Sequence, residues 1–476
     1  MSKSISEIKK QIKFGTDGWR GVISDNFTYE NVAIVAQAIS DWINKDVRKK
    51  GKVPLLAVGY DARFLSENYA KIVSCVLAKN NILVYLSDKF VPTPALSYGV
   101  VDVKGVAGIM ITASHNPAEF NGIKIKTAQG GGAGSDITNK VEKYLGKTAV
   151  KTMDFEEAVQ SKKIKMHDFI KNYLKFMQNY IDLKKIKNSK FHVIQDIMYG
   201  SGGGILTEVL KGSKINLAFL HDQINPSFGG VKPEPIERYV PELIKVMKSN
   251  KYDLGLILDG DADRIAAVAP GGEFISPQKI LGLLVLHLAR NRKRTGGVVT
   301  TTCGTTMIQK ICKKLDLKLY ETPVGFKYIS DLMVNENIIA GGEEAGGMGV
   351  QDYIPERDGT LAGLLLLEMM VYEKKNIKQI LQDMEKEFGR YYYERTEIAL
   401  GKSIFDPKKF LQTKSLLGKK VVDFQDYDGA KLICEDESWL MLRPSGTEPL
   451  VRAYAESKSL KKTLELLELG RKLLQK

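Results

Sequence analysis

One local pattern recurs along the chain: a short apolar run, a tight turn, then a segment with helical spacing. Residues 53–61 (VPLLAVGYD) read as a buried strand, and 66–80 (SENYAKIVSCVLAKN) as a capped helix with Glu67 in its first turn. The pattern returns at 190–204, 252–264 and 296–315. Its apolar runs do not alternate with polar residues, which predicts strands buried on both faces, hence parallel sheets covered by helices. The expected class is α/β, built from several similar units. A length of 476 residues is too much for one core and predicts two to four domains. A polar, lysine-rich stretch at 146–166, a turn at 269–274 and a change of texture at Arg390 suggest where units meet. The expected units are 1–150, 151–269 and 270–380, all α/β, and 381–476, a smaller α+β domain with shorter strand patterns.

Several functional classes are disfavoured. The longest apolar runs, 280–289 and 361–370, are half the roughly 20 residues a membrane span needs, so they read as core helices. The polar start, MSKSISEIKKQIKF, does not resemble a secretory signal. Cys75, Cys303, Cys312 and Cys434 are scattered without a CxxC pair, arguing against zinc and for a reducing, cytoplasmic setting. Net charge is +14, yet the lysines are dispersed and match no nucleic-acid-binding spacing. Solvated lysine faces, with some attraction for a phosphorylated substrate, explain the excess. The expectation is therefore no nucleic acid, no membrane, and a monomer or weak homodimer.

Four loops carry chemistry. In GIMITASHNPAEFNGIK (108–124), a serine beside a histidine raises the question of a nucleophile at Ser114. In LILDGDADR, Asp259, Asp261 and Asp263 follow an apolar strand, and in an extended segment residues two apart point the same way. Three converging carboxylates repel unless a cation sits among them, and hard oxygen donors favour Mg²⁺. Arg264 beside them suits a phosphate oxygen. An aspartate-rich turn is the bland alternative, and a calcium loop lacks its usual glycine and glutamate here. In LRPSGTEPLVR, Arg443, Ser445, Gly446 and Thr447 offer a guanidinium, hydroxyls and exposed N–H donors to a phosphate, or form an ordinary turn. In GGEEAGG (341–347), the glutamates can accept from sugar hydroxyls, or the glycines mark a flexible loop. Lys327 in TPVGFKYI and Arg20 in FGTDGWRG are further candidates, the latter equally a structural turn. All four main loops follow probable strands, where open α/β sheets bind ligands. Phosphate grips, a metal triad and a serine then fit one task, phosphoryl transfer.

Together the motifs resemble those of the α-D-phosphohexomutase family, the phosphoglucomutase/phosphomannomutase enzymes, over nearly the whole chain and in the family's order. TASHNP is similar to the phosphoserine loop, DGDADR to the magnesium loop, GEEAGG to the sugar loop and RPSGTEP to the phosphate loop. The resemblance implies four domains around a central cleft. It implies a phosphoryl group carried on Ser114, Mg²⁺ held by Ser114, Asp259, Asp261 and Asp263, and glucose 1,6-bisphosphate as activator and intermediate. It also implies His115 and Lys124 as acid/base candidates, Arg20 near the phosphoserine, and Arg264, Lys327 and Glu343 toward the sugar phosphate. Arg443, Ser445, Gly446 and Thr447 would hold the non-reacting phosphate. Two positions depart from the family: Ala345 stands where a serine is frequent, and Gly347 where some members have histidine. Glucose is the expected hexose, with mannose or dual specificity as the alternative and a glucosamine specialist less expected.

Rival readings explain less. A serine hydrolase would place its serine in a GxSxG elbow with a distant histidine. An aspartyl-phosphate phosphatase accounts for DGD but not for TASHNP. A sugar-phosphate sensor on the same scaffold draws support only from Ala345 and Gly347.

Overall fold

In the computed structural model, the described residues are 10–15, 18–249, 251–400, 405–444 and 450–475. They form four sheets of seven, five, four and six strands. The first runs Phe14–Gly15, Gly18–Val22, Phe120–Thr127, Ala107–Ile111, Leu55–Tyr60, Leu83–Ser87, Ile164–His167, so its last strand comes from beyond residue 150. The second orders Glu273–Ile275, Ile265–Ala269, Leu254–Leu258, His192–Asp196 and Asn216–Leu220. The third orders Leu319–Thr322, Gly297–Thr301, Ile338–Gly342 and Met348–Val350. The last is wholly antiparallel, with the helix Leu460–Gln475 packed on it.

The first three sheets are mixed rather than purely parallel. Ala107–Ile111 pairs antiparallel with Phe120–Thr127, Leu254–Leu258 with Ile265–Ala269, and Ile338–Gly342 with Met348–Val350. The reason is loop length. The connecting residues 112–119, 259–264 and 343–347 fall short of the dozen or so that a parallel crossover requires. An apolar run reports burial on both faces but not strand direction. The three short loops are the chemistry-bearing ones, so each sits where a hairpin turns at the end of its sheet. The fourth, 445–449, joins the antiparallel strands Trp439–Pro444 and Leu450–Ser457.

Two apolar helices bind the second and third units. Residues 280–289 and 361–370 fall within or across the ends of Pro277–Leu286 and Gly359–Glu373. Gly359–Glu373 is buried around its circumference from Gly359 to Met370, and Asp358 caps it by accepting from the Leu361 N–H. Leu284, Leu364 and Leu365 join one core with Val100 and Leu256. Each fully buried leucine contributes roughly 1.5–3 kcal/mol, so Leu365→Ala would cost about 2–5 kcal/mol. The last unit has its own core around Leu432, Leu442 and Leu466. Among the described residues, no helix is long and apolar enough to cross a membrane.

Candidate active site

Ser114 lies in the hairpin loop after Ala107–Ile111, 1% exposed, with backbone φ of +53°. That left-handed conformation is uncommon outside glycine and persists when neighbours over-determine it. The Ser114 N–H donates to Thr112 Oγ1 at 2.8 Å. Arg63, 3% exposed, donates from Nη2 to the Ser114 and Asn116 carbonyls, both at 2.6 Å. Its Nη1 donates to the Pro117 and Phe120 carbonyls at 2.8 and 3.1 Å, and Asp61 Oδ2 lies 3.3 Å from Nε. One guanidinium thus gathers three loop carbonyls and that of the first residue of the following strand. Arg20 stands opposite Gly122 on the adjoining strand and donates to Asn116 Oδ1 at 2.5 Å.

The three aspartates converge as expected, with carboxylate oxygens within 4.8 Å of one another and no exposure. The means differ from a simple extended run, because the loop turns through Ala262 at φ +58°. Gly260 is where the two loops come closest. A Cβ there would lie 2.6 Å from the Ser114 carbonyl oxygen, so glycine lets the two loops touch. Ser114 Oγ donates to Asp259 Oδ2 at 2.9 Å. Lys124, 1% exposed, donates from Nζ to Asp261 Oδ2 at 2.9 Å and Asp263 Oδ2 at 3.1 Å. Thr93 Oγ1 adds a bond to Asp261 Oδ2 at 2.6 Å, and the Arg264 N–H one to Asp259 Oδ1 at 3.1 Å.

Charge is unevenly compensated. Burial raises the Asp259 carboxyl well above its ordinary range, and Asp263 and Asp261 push it further. Burial also works against Asp261, but Lys124 and the bonds from Thr93 and Lys124 bring its carboxyl below the usual value. Asp261 Oδ1 and Asp263 Oδ1 are buried and accept no hydrogen bond from the described residues. Three hard oxygen donors, two of them unsatisfied, fit a divalent cation held by Asp259, Asp261 and Asp263. His115 Nδ1 lies 3.4 Å from Ser114 Oγ. Burial, then the cations Arg264, Arg20, Lys232 and Lys124, hold its imidazole well below the ordinary value and therefore neutral at pH 7.

The loop 343–347 adjoins this cluster. Ile265 N–H donates to the Gly346 carbonyl at 3.0 Å, and Arg264 bridges to Gly347 through the backbone. Glu343 is 7% exposed, and burial pushes its carboxyl up to about 7 despite Arg357. Glu344 turns aside and accepts from Thr301 Oγ1 at 3.0 Å. Lys327, at the start of Phe326–Asn335, holds its ammonium 4.9 Å from the Tyr328 ring centre. Arg443 Nε donates to Asp428 Oδ1 at 2.9 Å, while Asp428 Oδ2 accepts from the Val324 N–H at 2.7 Å. Ser445, Gly446 and Thr447 lie outside the described residues.

Sequence reasoning missed Arg63, Thr93 and the segment Glu356, Arg357, Asp358. Arg357 Nη2 lies 2.8 Å from Asp263 Oδ2, and Nη1 donates to Glu343 Oε2 at 3.3 Å. Glu356 pairs with the buried Lys126 of the first sheet. Tyr173 and Tyr353 hydroxyls donate to Asp358 Oδ2 at 2.8 and 2.9 Å. The available signal was a run of three charges, ERD, directly before a helix apolar on every side, which forces those charges inward.

A buried serine loop set against a buried carboxylate cluster, assembled from more than one α/β unit, is the arrangement of a multidomain α/β enzyme with a metal-dependent site. Comparison with known families narrows it. Four models of the phosphoglucomutase/phosphomannomutase family match in order: α/β/α domain I at 11–151, domain II at 171–272, domain III at 276–388 and the C-terminal domain at 402–469. A "Phosphoglucomutase/phosphomannomutase" of Thermococcus kodakarensis is 29% identical, covering 97% of this chain and 98% of its own. A "Probable phosphoglucosamine mutase" of Methanosphaera stadtmanae is 30% identical, covering 94% of each. A crystal structure from Thermus thermophilus, described under the name phosphomannomutase, superposes with TM-score 0.86 at 31% identity, covering 98% of this chain and 99% of its own. The chain belongs to the phosphoglucomutase/phosphomannomutase family. It is an isomerase of the phosphohexomutase type, an intramolecular phosphotransferase.

Proposed function

We propose that the enzyme interconverts hexose 1-phosphate and hexose 6-phosphate, glucose first among the hexoses, through phosphorylated Ser114 and a 1,6-bisphosphate. The observation that carries this reading is the 2.9 Å contact of Ser114 Oγ with Asp259 inside a fully buried carboxylate triad. A hydroxyl in that setting is a poor hydrolytic nucleophile but a good carrier of a phosphoryl group beside a cation. Mg²⁺ held by the triad and a phosphoserine oxygen would neutralise charge on the transferred group.

The chain's own groups supply the rest. The bond from Ser114 Oγ to phosphorus breaks as the sugar hydroxyl oxygen bonds to phosphorus; the hydroxyl proton passes to His115 or Lys124, and the same acid/base group delivers a proton to the departing Ser114 oxygen. The second half-reaction returns the other phosphate to Ser114 with the proton restored. Arg20 and Arg264 flank the transferred group, while Glu343 accepts from sugar hydroxyls and Lys327 lies toward the sugar phosphate. Arg443, Ser445, Gly446 and Thr447 grip the non-reacting phosphate and must accept the intermediate in both orientations. The reading includes action as a monomer or weak homodimer on a hexose phosphate. Four buried, unpaired cysteines support a cytoplasmic setting. The relatives' names span glucose, mannose and glucosamine.

Intact-mass analysis after incubation with glucose 1,6-bisphosphate and Mg²⁺ tests the reading. One added phosphate should map to Ser114, and Ser114→Ala should lose turnover entirely. Full turnover by that variant would overturn the mechanism, and absence of glucose phosphate turnover would overturn the choice of hexose.

A further inference from the structure

The Gly347 position, where a histidine could have stood, is filled from elsewhere. A Cβ there would lie 2.2 Å from Arg357 Cδ and 2.8 Å from its Cγ. No real Cβ approaches a methylene so closely, so either the stem of Arg357 or a side chain at 347 can occupy this volume. We infer that Arg357 is the positioning residue that seats the sugar loop on the metal loop, and that residue 347 is glycine to admit it. The inference rests on the reading of Glu343 as the sugar-binding carboxylate.

Arg357 is only 6% exposed and is held on several sides. Its Nη2 reaches Asp263 at 2.8 Å, its Nη1 reaches Glu343 at 3.3 Å, and the guanidinium lies 5.4 Å from the Phe326 ring centre. Its backbone N–H donates to Glu356 Oε1 at 2.9 Å, and the other oxygen of Glu356 pairs with buried Lys126. The metal loop and the sugar loop therefore meet at the Arg357 side chain, and its neighbour Glu356 ties that side chain's backbone to the first sheet through Lys126. A planar fork suits this geometry, since it reaches two carboxylates from different loops at once. Without it, Asp263 and Glu343 would face each other with the bridging guanidinium gone. Glu343 would then lose its set position, and the enzyme its grip on the hexose hydroxyls. The ligand concerned is the hydroxyl-bearing ring of the hexose phosphate, not its phosphate.

Steady-state kinetics with glucose 1-phosphate, alongside Ser114 phosphorylation by glucose 1,6-bisphosphate, test this. Arg357→Gln should raise KM by roughly tenfold to a hundredfold, with a smaller change in kcat and with Ser114 still phosphorylated. Arg357→Lys should recover part of that loss, because it keeps the charge but not the fork. Gly347→Ala should raise KM in the native background yet add less than about twofold in an Arg357→Ala background. An unchanged KM in Arg357→Gln, or an equal cost of Gly347→Ala in both backgrounds, overturns the role of Arg357 alone. Absence of Ser114 phosphorylation and turnover in the unaltered protein overturns the functional reading, and this inference with it. If Arg357→Gln fails to fold, the Gly347→Ala and Arg357→Lys comparison still decides.

Discussion

The metal loop and the sugar loop are built alike and held differently. Each is a hairpin connection between antiparallel strands, and each places carboxylates in a buried setting. Asp259, Asp261 and Asp263 take bonds from Ser114, Thr93, Lys124, Arg357 and the loop's own backbone. Among the described residues, Glu343 pairs with a single cation, Arg357, and positions 345 and 347 bring only a methyl group and a hydrogen. The difference teaches where this enzyme is over-determined. The carboxylate triad is fixed from three sides, whereas Glu343, the proposed sugar carboxylate, is held by one arginine.

The largest effect should follow from loosening the stronger loop. Burial and the neighbouring Asp263 and Asp261 hold the Asp259 carboxyl well above its ordinary range. Asp259→Asn removes that repulsion while its side-chain oxygen can still accept from the Arg264 N–H. Thermal unfolding without divalent cations should show the variant as stable as the native protein or more so. Adding Mg²⁺ should raise the native Tm and leave the variant's unmoved, and kcat should fall by roughly a thousandfold. Equal Mg²⁺ stabilisation of both proteins would mean that the triad is not where the cation binds.

The same asymmetry governs how much the sequence discloses. The reacting loops are legible because each is short, sits at a strand end and carries an unusual local chemistry: three alternating aspartates, or Ser-His-Asn-Pro. Their convergence is legible too, although the turn at Ala262 is not, since alternate spacing suggests the same outcome by a different path. Strand direction is hidden in apolar runs and visible only in loop length. Arg63, Thr93 and Arg357 stay hidden for another reason. Each acts across tens to hundreds of residues, on the 114 loop, on Asp261, and on Asp263 with Glu343, respectively. Nothing local marks an arginine that will gather carbonyls or a threonine that will reach an aspartate. The glycine at 347 reads as flexibility in sequence, while in the fold it is a cavity already occupied by Arg357.

Glu343→Gln probes the weaker loop and should have an intermediate effect. The folded carboxyl titrates at about 7 against an ordinary 4.5, because burial disfavours its charge. Between those values the folded state binds more proton than the unfolded chain, so this group lowers stability as pH rises toward 7 and costs its full amount above it. Replacing it by glutamine should therefore stabilise the protein by up to about 3 kcal/mol above pH 7 and by little near pH 4.5. Urea unfolding at both ends of that window checks the sign. In catalysis the native KM should rise as pH falls through about 7, since the protonated acid accepts less well. The glutamine variant should lack that inflection and bind the hexose about tenfold more weakly at high pH. A gain in stability that did not vary with pH would show that Glu343 does not titrate there.

Ala345→Ser should have the smallest effect, and it bears most directly on the contrast between the loops. Position 345 is partly exposed and follows two glutamates, so a hydroxyl can be added without opening the core. Stability should change by less than about 0.5 kcal/mol. One hydrogen bond to a ring hydroxyl or amine is worth about 0.5–1.5 kcal/mol, which shifts kcat/KM by roughly two- to tenfold. Because that bond can form with some substituents and not with others, the ratios among glucose, mannose and glucosamine phosphates should move rather than all three rising together. Equal movement of the three would assign residue 345 to general loop order. A changed ratio with unaltered Ser114 phosphorylation would show that this loop tunes the choice of sugar separately from the chemistry at the metal loop.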